Sequence, residues 1–541
     1  MTAAELFLRL TESDQPALYF EDRVVTGREF VSESVSRAVL WRDRHDPERP
    51  PHIGVLLDNT PEHLFWLGAA AISGAVMVGI NSTYRGTELE RLIEHSDCQV
   101  VVTSTTYGAL LDETSLRGDR DRIWHTEGES YRRALSAVKT SDAAFEDPTD
   151  DDLYLLIFTS GSTNFPKAVR CTQGRFARTG AHVARVMDLG PGEAIYAPLP
   201  FFHSSSLFTG LAAALASGVP IGTRAKFSAS RTLGDIRRIG ATAMTYTGKV
   251  LNYMLAVPED ASDEDNPLRL AIGNEASLND INSFATRFQC QVRDSYGSTE
   301  GVIIIRRDSS MPMGALGSAD EQIVVLDPET GAECPRAELR ADGAVLNLEQ
   351  ATGELVNLKP DQGFEGYYKN EEATTERFRD GIYWSGDLAY RDAEGWFYFA
   401  GRSNEWLRVD SENFSAGVVE TILSRFKGAR GVVVYAVPDP VVGDRVMAAL
   451  ELNDPRTFDV DDFEAFLQAQ SDLGPKWLPT FVRVSGDLPK LASLKVDKTR
   501  LRKEAWNVVD VYWRPNRNEP LRVLAPADRE RLGDVTRTHS S

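Results

Sequence analysis

Cysteine is scarce. The 541 residues hold four, Cys98, Cys171, Cys290 and Cys334, far apart and without a CxxC pair. Their spacing excludes a thiolate metal centre and a disulfide-built secreted scaffold, and it suits a reducing compartment. Positive charge is also short. Lys and Arg total 59 against 80 Asp and Glu, a formal charge of −21, which opposes broad attraction to nucleic acid or to anionic lipid. Long apolar runs are missing as well. The best candidate, LFWLGAAAISGAVMVGI at 64–80, falls short of the ~20 residues that a spanning helix needs, and its internal glycines predict a buried helix running into a buried strand. The start, MTAAELFLRLTESD, lacks the basic region and apolar block of a signal peptide. A cytoplasmic protein with no transmembrane segment and no nucleic-acid partner is expected; peripheral membrane contact and a homodimer are left open.

What is present is ordinary globular material, 42% hydrophobic and 26% charged, in a chain too long for one core. Short apolar runs such as HIGVLL, CQVVVT, LYLLIF, ATAMTY and LRLAIG alternate with helix-like stretches such as 86–95 and 172–187. That alternation predicts an α/β fold with parallel strands and crossover helices, buried on both faces. From about residue 316 the texture turns to short strands with Gly, Pro and Asp turns, a small β-rich subdomain. Beyond AGRSNEWLRVDSENF helix and strand patterns return. The expected architecture is therefore a large N-terminal domain of stacked α/β subdomains plus a β-rich subdomain, 1–401, followed by a small mobile α+β domain, 406–515. Residues 402–405 would form a hinge, and 516–541, rich in Arg, Asp and Glu, read as a solvated tail.

The stretch IFTSGSTNFPKAV at 157–169 sets hydroxyl side chains beside one lysine directly after an apolar run. A Walker loop would need a second glycine before its lysine; here Pro166 precedes Lys167. Turn-freed N–H groups, the hydroxyls of Thr159, Ser160, Ser162 and Thr163, the turn at Gly161, and the Lys167 cation are still a set that can surround phosphate oxygens. A serine- and threonine-rich surface loop would carry the same residues. Further motifs decide between them.

TSGSTNFPK resembles the phosphate loop of the adenylate-forming superfamily, which includes acyl-CoA synthetases, peptide-synthetase adenylation domains and luciferases. The resemblance recurs in order at YGSTEG (296–301), YWSGDLAYRDAEGWFYFAGR (383–402), SEN (411–413) and LASLKVDK (491–498). TYTGKVLNYML, GNEASLNDINSFATRF and NEWLRVDSENF look most like very-long-chain acyl-CoA synthetases, fatty-acid transport proteins and their actinobacterial relatives acting on fatty acids or steroid side chains. The resemblance implies ATP, Mg2+ and CoA as cosubstrates or cofactor and a small-molecule carboxylic acid as substrate.

By the same resemblance, the loop Thr159–Thr163 with Lys167 holds the β- and γ-phosphates. Glu300 is the Mg2+ ligand, and Thr299 lies near the α-phosphate. Asp387 accepts hydrogen bonds from the ribose hydroxyls, supported by Arg402. Gly273, Asn274 and Glu275 flank the adenine on one face and Tyr296 covers the other. Lys495 reaches the carboxylate and α-phosphate during adenylation. In the charge pattern alone, Lys495 is better explained as one cation of the run KLASLKVDKTRLRK. His203, in PLPFFHSSSL, either orients the acyl carboxylate or forms pocket wall, and the small serines after it leave room for a tunnel. Asn404 sits at the hinge position.

Three positions depart from the family pattern. Asn164 replaces a loop glycine, Leu494 replaces the glycine before the lysine, and Ser411 stands where most relatives have glycine near the expected path of CoA. The expected activity is conversion of a long or bulky hydrophobic acid to acyl-AMP and then to acyl-CoA. Ser411 keeps alive an acyl-AMP ligase that loads a carrier protein. An impaired acyl-nucleotide binding protein is the third reading, opposed by retention of Glu300, Asp387, Arg402 and Lys495.

Overall fold

The computed structural model describes residues 1–532 except 120, 141–143, 160–165, 275, 277, 307–310, 313–314, 341–344, 361–362, 403–405, 410–411, 440–442, 471–472, 492–495 and 517. The chain divides into two compact units, residues 1–304 with 361–376, and residues 305–360 with 377–541.

The first unit holds two largely parallel sheets. One runs in the order Ile123–His125, Cys98–Thr103, His52–Leu56, Val76–Gly79, Leu153–Thr159, Lys167–Thr172. Its strands pair parallel until the last, where Leu153–Thr159 meets Lys167–Thr172 antiparallel. His52–Leu56 and Cys98–Thr103 are buried at every position, which is why they read as unbroken apolar runs and not as alternation. The uncharged stretch 64–80 supplies most of the buried helix Pro61–Ser73 and all of the strand Val76–Gly79. Among the described residues no helix is long and apolar enough to cross a membrane.

The other sheet contains Gln291–Gly297, Leu270–Asn274, Ala243–Thr247, Ile195–Tyr196, Ile221–Thr223, Pro16–Phe20 and Arg23–Thr26 in that order. All but the last pair run parallel. Helices Pro61–Ser73 and Gln173–Val186 and an eight-residue π-helix, Ser205–Ala212, bury their apolar faces in one core with these strands. Gly180 is what lets the helices close: a Cβ there would stand 2.4 Å from the Ala212 carbonyl oxygen.

The second unit is mainly antiparallel. Ile323–Leu326, Gly353–Asn357 and Ile382–Arg391 form one sheet, and Phe397–Arg402 and Phe378–Arg379 also pair with the long third strand. A further sheet follows the order Glu412–Ser415, Trp406–Val409, Gly443–Leu452, Phe481–Ser485, Val511–Trp513, Arg522–Val523, with Ala429–Asp439 paired to Gly443–Leu452. The border expected near 402 lies inside this unit, between the strands Phe397–Arg402 and Trp406–Val409 of its two sheets, and the expected hinge, 402–405, lies outside the described residues apart from the backbone of Arg402.

The solvated tail needs correction. Residues after 515 contribute the strand Arg522–Val523 and the helix Pro526–Leu532, and Leu521 and Leu524 are each 4% exposed in the cores of this unit. The apolar run PLRVLAP at 520–526 is short beside the charged stretches on either side of it, so composition dominated the reading.

Candidate active site

In the first unit the nominated residues gather where parallel strands end, the usual place for ligands in α/β sheets. Ala243–Thr247 and Leu270–Asn274 pair in register as Tyr246↔Gly273 and Thr247↔Asn274. Gly273 is required by this packing, because a Cβ would stand 2.1 Å from the Tyr246 carbonyl oxygen. Tyr296 is near the end of the next strand, Gln291–Gly297, and is half-buried. Asp294, 4% exposed, fixes the segment: it accepts from the Ala276 backbone N–H at 2.9 Å and from the Tyr246 hydroxyl at 3.0 Å. Glu275 lies outside the described residues.

Beyond the strand Gln291–Gly297 the chain turns through Gly301 at φ 72° and presents Thr299 and Glu300. The backbone is clamped from behind. Arg175, 6% exposed on the helix Gln173–Val186, donates to the carbonyls of Thr299 (2.6 Å) and Glu300 (3.0 Å), and its other terminal nitrogen donates to the Arg170 carbonyl (2.7 Å). The side chain of Glu300 is 8% exposed and accepts from the Tyr367 hydroxyl at 2.7 Å. One carboxylate beside incoming phosphate oxygens is a donor set that suits Mg2+. Among the described residues no group of three or more His, Cys, Asp or Glu could cage a metal by itself.

Thr159 and Lys167 face each other as the last cross-strand pair of the two strands, and the Thr159 hydroxyl reaches the Lys167 carbonyl at 3.4 Å. Ser160, Gly161, Ser162, Thr163 and Asn164 lie outside the described residues. Lys167 is 6% exposed with its ammonium 5.2 Å from the centre of the Tyr367 ring. His203 is half-buried and packs on Phe202 with ring centres 4.6 Å apart. Of the serines after it, Ser204 meets the Thr299 hydroxyl at 3.0 Å, which brings the segment after His203 against the one that carries Thr299 and Glu300. Ser206 is fully buried and donates to the Leu199 carbonyl at 2.7 Å, so its hydroxyl serves the turn and not a tunnel wall.

In the second unit Asp387 stands directly across from Arg402 in the pairing of Ile382–Arg391 with Phe397–Arg402. The turn before it uses Gly386 at φ 74°, with the Arg377 guanidinium packed where a Cβ would go. The Asp387 N–H donates to the Ser385 hydroxyl (3.0 Å), which donates to the Leu355 carbonyl (2.6 Å). Glu354, whose carboxyl burial pushes up, accepts from the Gly386 N–H. The Arg402 side chain, Asn404, Ser411, Leu494 and Lys495 lie outside the described residues.

The sequence profile of the AMP-binding enzymes matches residues 9–368. The chain belongs to the AMP-binding enzyme family. This AMP-binding enzyme is 43% identical to a medium/long-chain-fatty-acid–CoA ligase, FadD17, of Mycobacterium marinum, over 95% of its own length and 98% of the relative's. It is 45% identical to the steroid-22-oyl-CoA synthetase of Rhodococcus jostii over 95% and 92% of the two chains. Its fold matches ATP-bound MatB from Rhodopseudomonas palustris with a TM-score of 0.78, at 23% identity, over 93% of this chain and 98% of that one.

Tyr367, Arg175 and Asp294 were not singled out by motif reading. Tyr367 is 67 positions from Glu300 in a stretch that reads as turn-rich, and Arg175 is one arginine among several on its helix. An unusual aromatic pair after glycine, GYYK at 366–369, was the one available signal.

Proposed function

We propose that this enzyme converts a long-chain or bulky hydrophobic carboxylic acid, a fatty acid or a steroid side-chain acid, into its CoA thioester through acyl-AMP. The observation that carries this reading is near full-length similarity to two ligases whose names both specify large hydrophobic acids. The contact between Ser204 and Thr299 supports it, because the segment proposed to face the acyl group and the one proposed to face the α-phosphate are neighbours.

A carboxylate does not react with a thiol because oxide is a poor leaving group. Attack of the carboxylate oxygen on the α-phosphorus of ATP forms the acyl-phosphate bond of acyl-AMP and expels pyrophosphate; the CoA sulfur then attacks the acyl carbon and expels AMP. The first step brings an anion onto a polyanion, so catalysis is chiefly positioning and charge stabilisation. Lys167 and the hydroxyls of residues 159–163 would hold the β- and γ-phosphates. Glu300 would hold Mg2+, which supplies charge neutralisation on the phosphates when bound. Thr299 would donate to the α-phosphate, Asp387 with Arg402 would take the ribose, and Gly273, Asn274, Glu275 and Tyr296 would enclose the adenine. Lys495 would stabilise charge developing at the α-phosphate. One lysine cannot serve two unlike steps from one position, so residues 402–405 are proposed as the hinge that withdraws it before CoA enters. His203 would orient the acyl carboxylate.

The test is a panel of acids assayed for pyrophosphate and acyl-CoA separately. Each buried methylene contributes about 0.8 kcal/mol, so kcat/KM for palmitate or a steroid side-chain acid should exceed that for acetate by at least about a thousandfold. Comparable values for acetate and the large acids would overturn the substrate class. Pyrophosphate release without acyl-CoA, with transfer to a phosphopantetheine carrier protein instead, would favour the carrier-loading alternative that Ser411 keeps open.

A further inference from the structure

The segment 365–369 behaves as an added edge strand on Lys167–Thr172. Val169 and Tyr367 form an antiparallel bridge. The Arg170 N–H donates to the Gly366 carbonyl (3.1 Å), and the Tyr368 N–H donates to the Ala168 carbonyl (2.8 Å). Both ends are pinned. The Glu365 carboxylate accepts from the Thr172 N–H (2.7 Å) and hydroxyl (2.6 Å). At the other end the Tyr368 hydroxyl (2.6 Å) and the Lys369 ammonium (2.7 Å) donate to Asp97. Burial alone would raise the Asp97 carboxyl, but these two donors prevail and hold it below the usual carboxylate range.

Tyr367 occupies the middle of this strap, 4% exposed. Its hydroxyl donates to Glu300 at 2.7 Å while its ring face carries the Lys167 ammonium at 5.2 Å. One side chain therefore touches two buried, oppositely charged groups. A hydrogen bond to one carboxylate oxygen fixes the plane of the carboxylate, and a π-face confines the end of a long aliphatic stem. Both effects set the geometry before a ligand arrives, so less ordering is left to the binding step.

We propose that Tyr367 is a positioning residue that presents Glu300 to the divalent cation and Lys167 to the polyphosphate. The proposal rests on the reading of Glu300 as the metal ligand. The hydroxyl acts on the metal side, the ring on the phosphate side, and the pinned strap keeps the two in step.

The experiment measures Mn2+ binding to the enzyme in the presence of α,β-methylene-ATP, from the electron paramagnetic resonance signal of free Mn2+, with no acid or CoA present. Wild type is compared with Glu300→Gln, Tyr367→Phe and Tyr367→Leu, after thermal melts confirm that each is folded. Tyr367→Phe, which removes one oxygen, should weaken Mn2+ by about tenfold and leave metal-free nucleotide affinity unchanged. Tyr367→Leu should weaken the nucleotide as well. Wild-type Mn2+ affinity in Tyr367→Phe, alongside loss in Glu300→Gln, overturns the positioning role alone. Wild-type affinity in both variants overturns the assignment of Glu300 and the proposal with it.

Discussion

The two carboxylates nominated for the nucleotide are held by different means. Glu300, in the first unit, is 8% exposed and depends on other side chains: the Tyr367 hydroxyl on its carboxylate and the Arg175 guanidinium on its carbonyl. Asp387, in the second unit, is half-buried and sits on a strand in register with Arg402, its backbone fixed by that ladder and by a turn whose N–H groups donate to the Ser385 hydroxyl and the Glu354 carboxylate. A side-chain network is sensitive to single-atom changes, because losing one partner leaves a buried charge unsatisfied. A position set by backbone pairing tolerates changes beside it and fails only when the residue itself is replaced.

The largest expected effect falls on neither carboxylate. Lys495→Ala should lower acyl-AMP formation by about a thousandfold while thioester formation from supplied acyl-AMP continues, since removal of a preorganised charge stabiliser costs about 3–4 kcal/mol in the step that uses it. Rapid-quench assays of the two half-reactions read this directly. Equal loss in both would mean that the lysine supports the fold or both steps.

Next comes an acid effect on the stability of the first unit. His63 is fully buried, and burial pushes its imidazole down to about 4 from the ordinary 6.5. The folded state keeps it neutral while the unfolded chain takes a proton below 6.5. Its contribution to stability is therefore complete above pH 6.5 and lost as pH falls toward 4, up to about 3 kcal/mol. His63→Phe should flatten the acid limb of melting temperature against pH; an unchanged limb would assign acid sensitivity to other groups.

The third prediction tests the comparison itself. Asp387→Ala should weaken ATP by about 1.5–3 kcal/mol, the range for hydrogen bonds to a charged acceptor. Ser385→Ala, two residues away, should change ATP affinity by less than about threefold, as expected where backbone pairing sets the geometry. Isothermal titration of both variants checks it. A Ser385→Ala loss as large as that of Asp387→Ala would show that Asp387 too depends on a side-chain network.

Much of the scaffold was legible because burial on both sheet faces leaves plain marks. HIGVL and CQVVVT could only be strands sealed on two sides, and 64–80 was too short and too glycine-broken to span a bilayer. The candidate site was legible where a motif is contiguous: Thr299 with Glu300, Thr159 facing Lys167, Asp387 directly after its turn glycine. It was illegible where function depends on distant partners. Tyr367 reaches Glu300 only after the chain has crossed a second compact unit, and Arg175 acts on carbonyls, which leave no letter in a sequence. The π-helix Ser205–Ala212 was hidden for a related reason, since the few apolar residues of SSLFTGLA, mixed with Ser, Thr and Gly, do not set one helical period apart from another. Leu521 and Leu524, which complete two cores, were passed over because their run PLRVLAP is short and lies between charged stretches.

The most direct test of acyl-AMP chemistry follows one atom. With palmitate or a steroid side-chain acid carrying heavy oxygen in its carboxylate, plus ATP and CoA, mass spectrometry of the products should find one heavy oxygen in AMP and none in pyrophosphate, because the attacking carboxylate oxygen stays on the α-phosphorus when CoA takes the acyl group. Heavy oxygen in a phosphate released from the β or γ position, or acyl-CoA formed with unlabelled AMP, would contradict the acyl-AMP route.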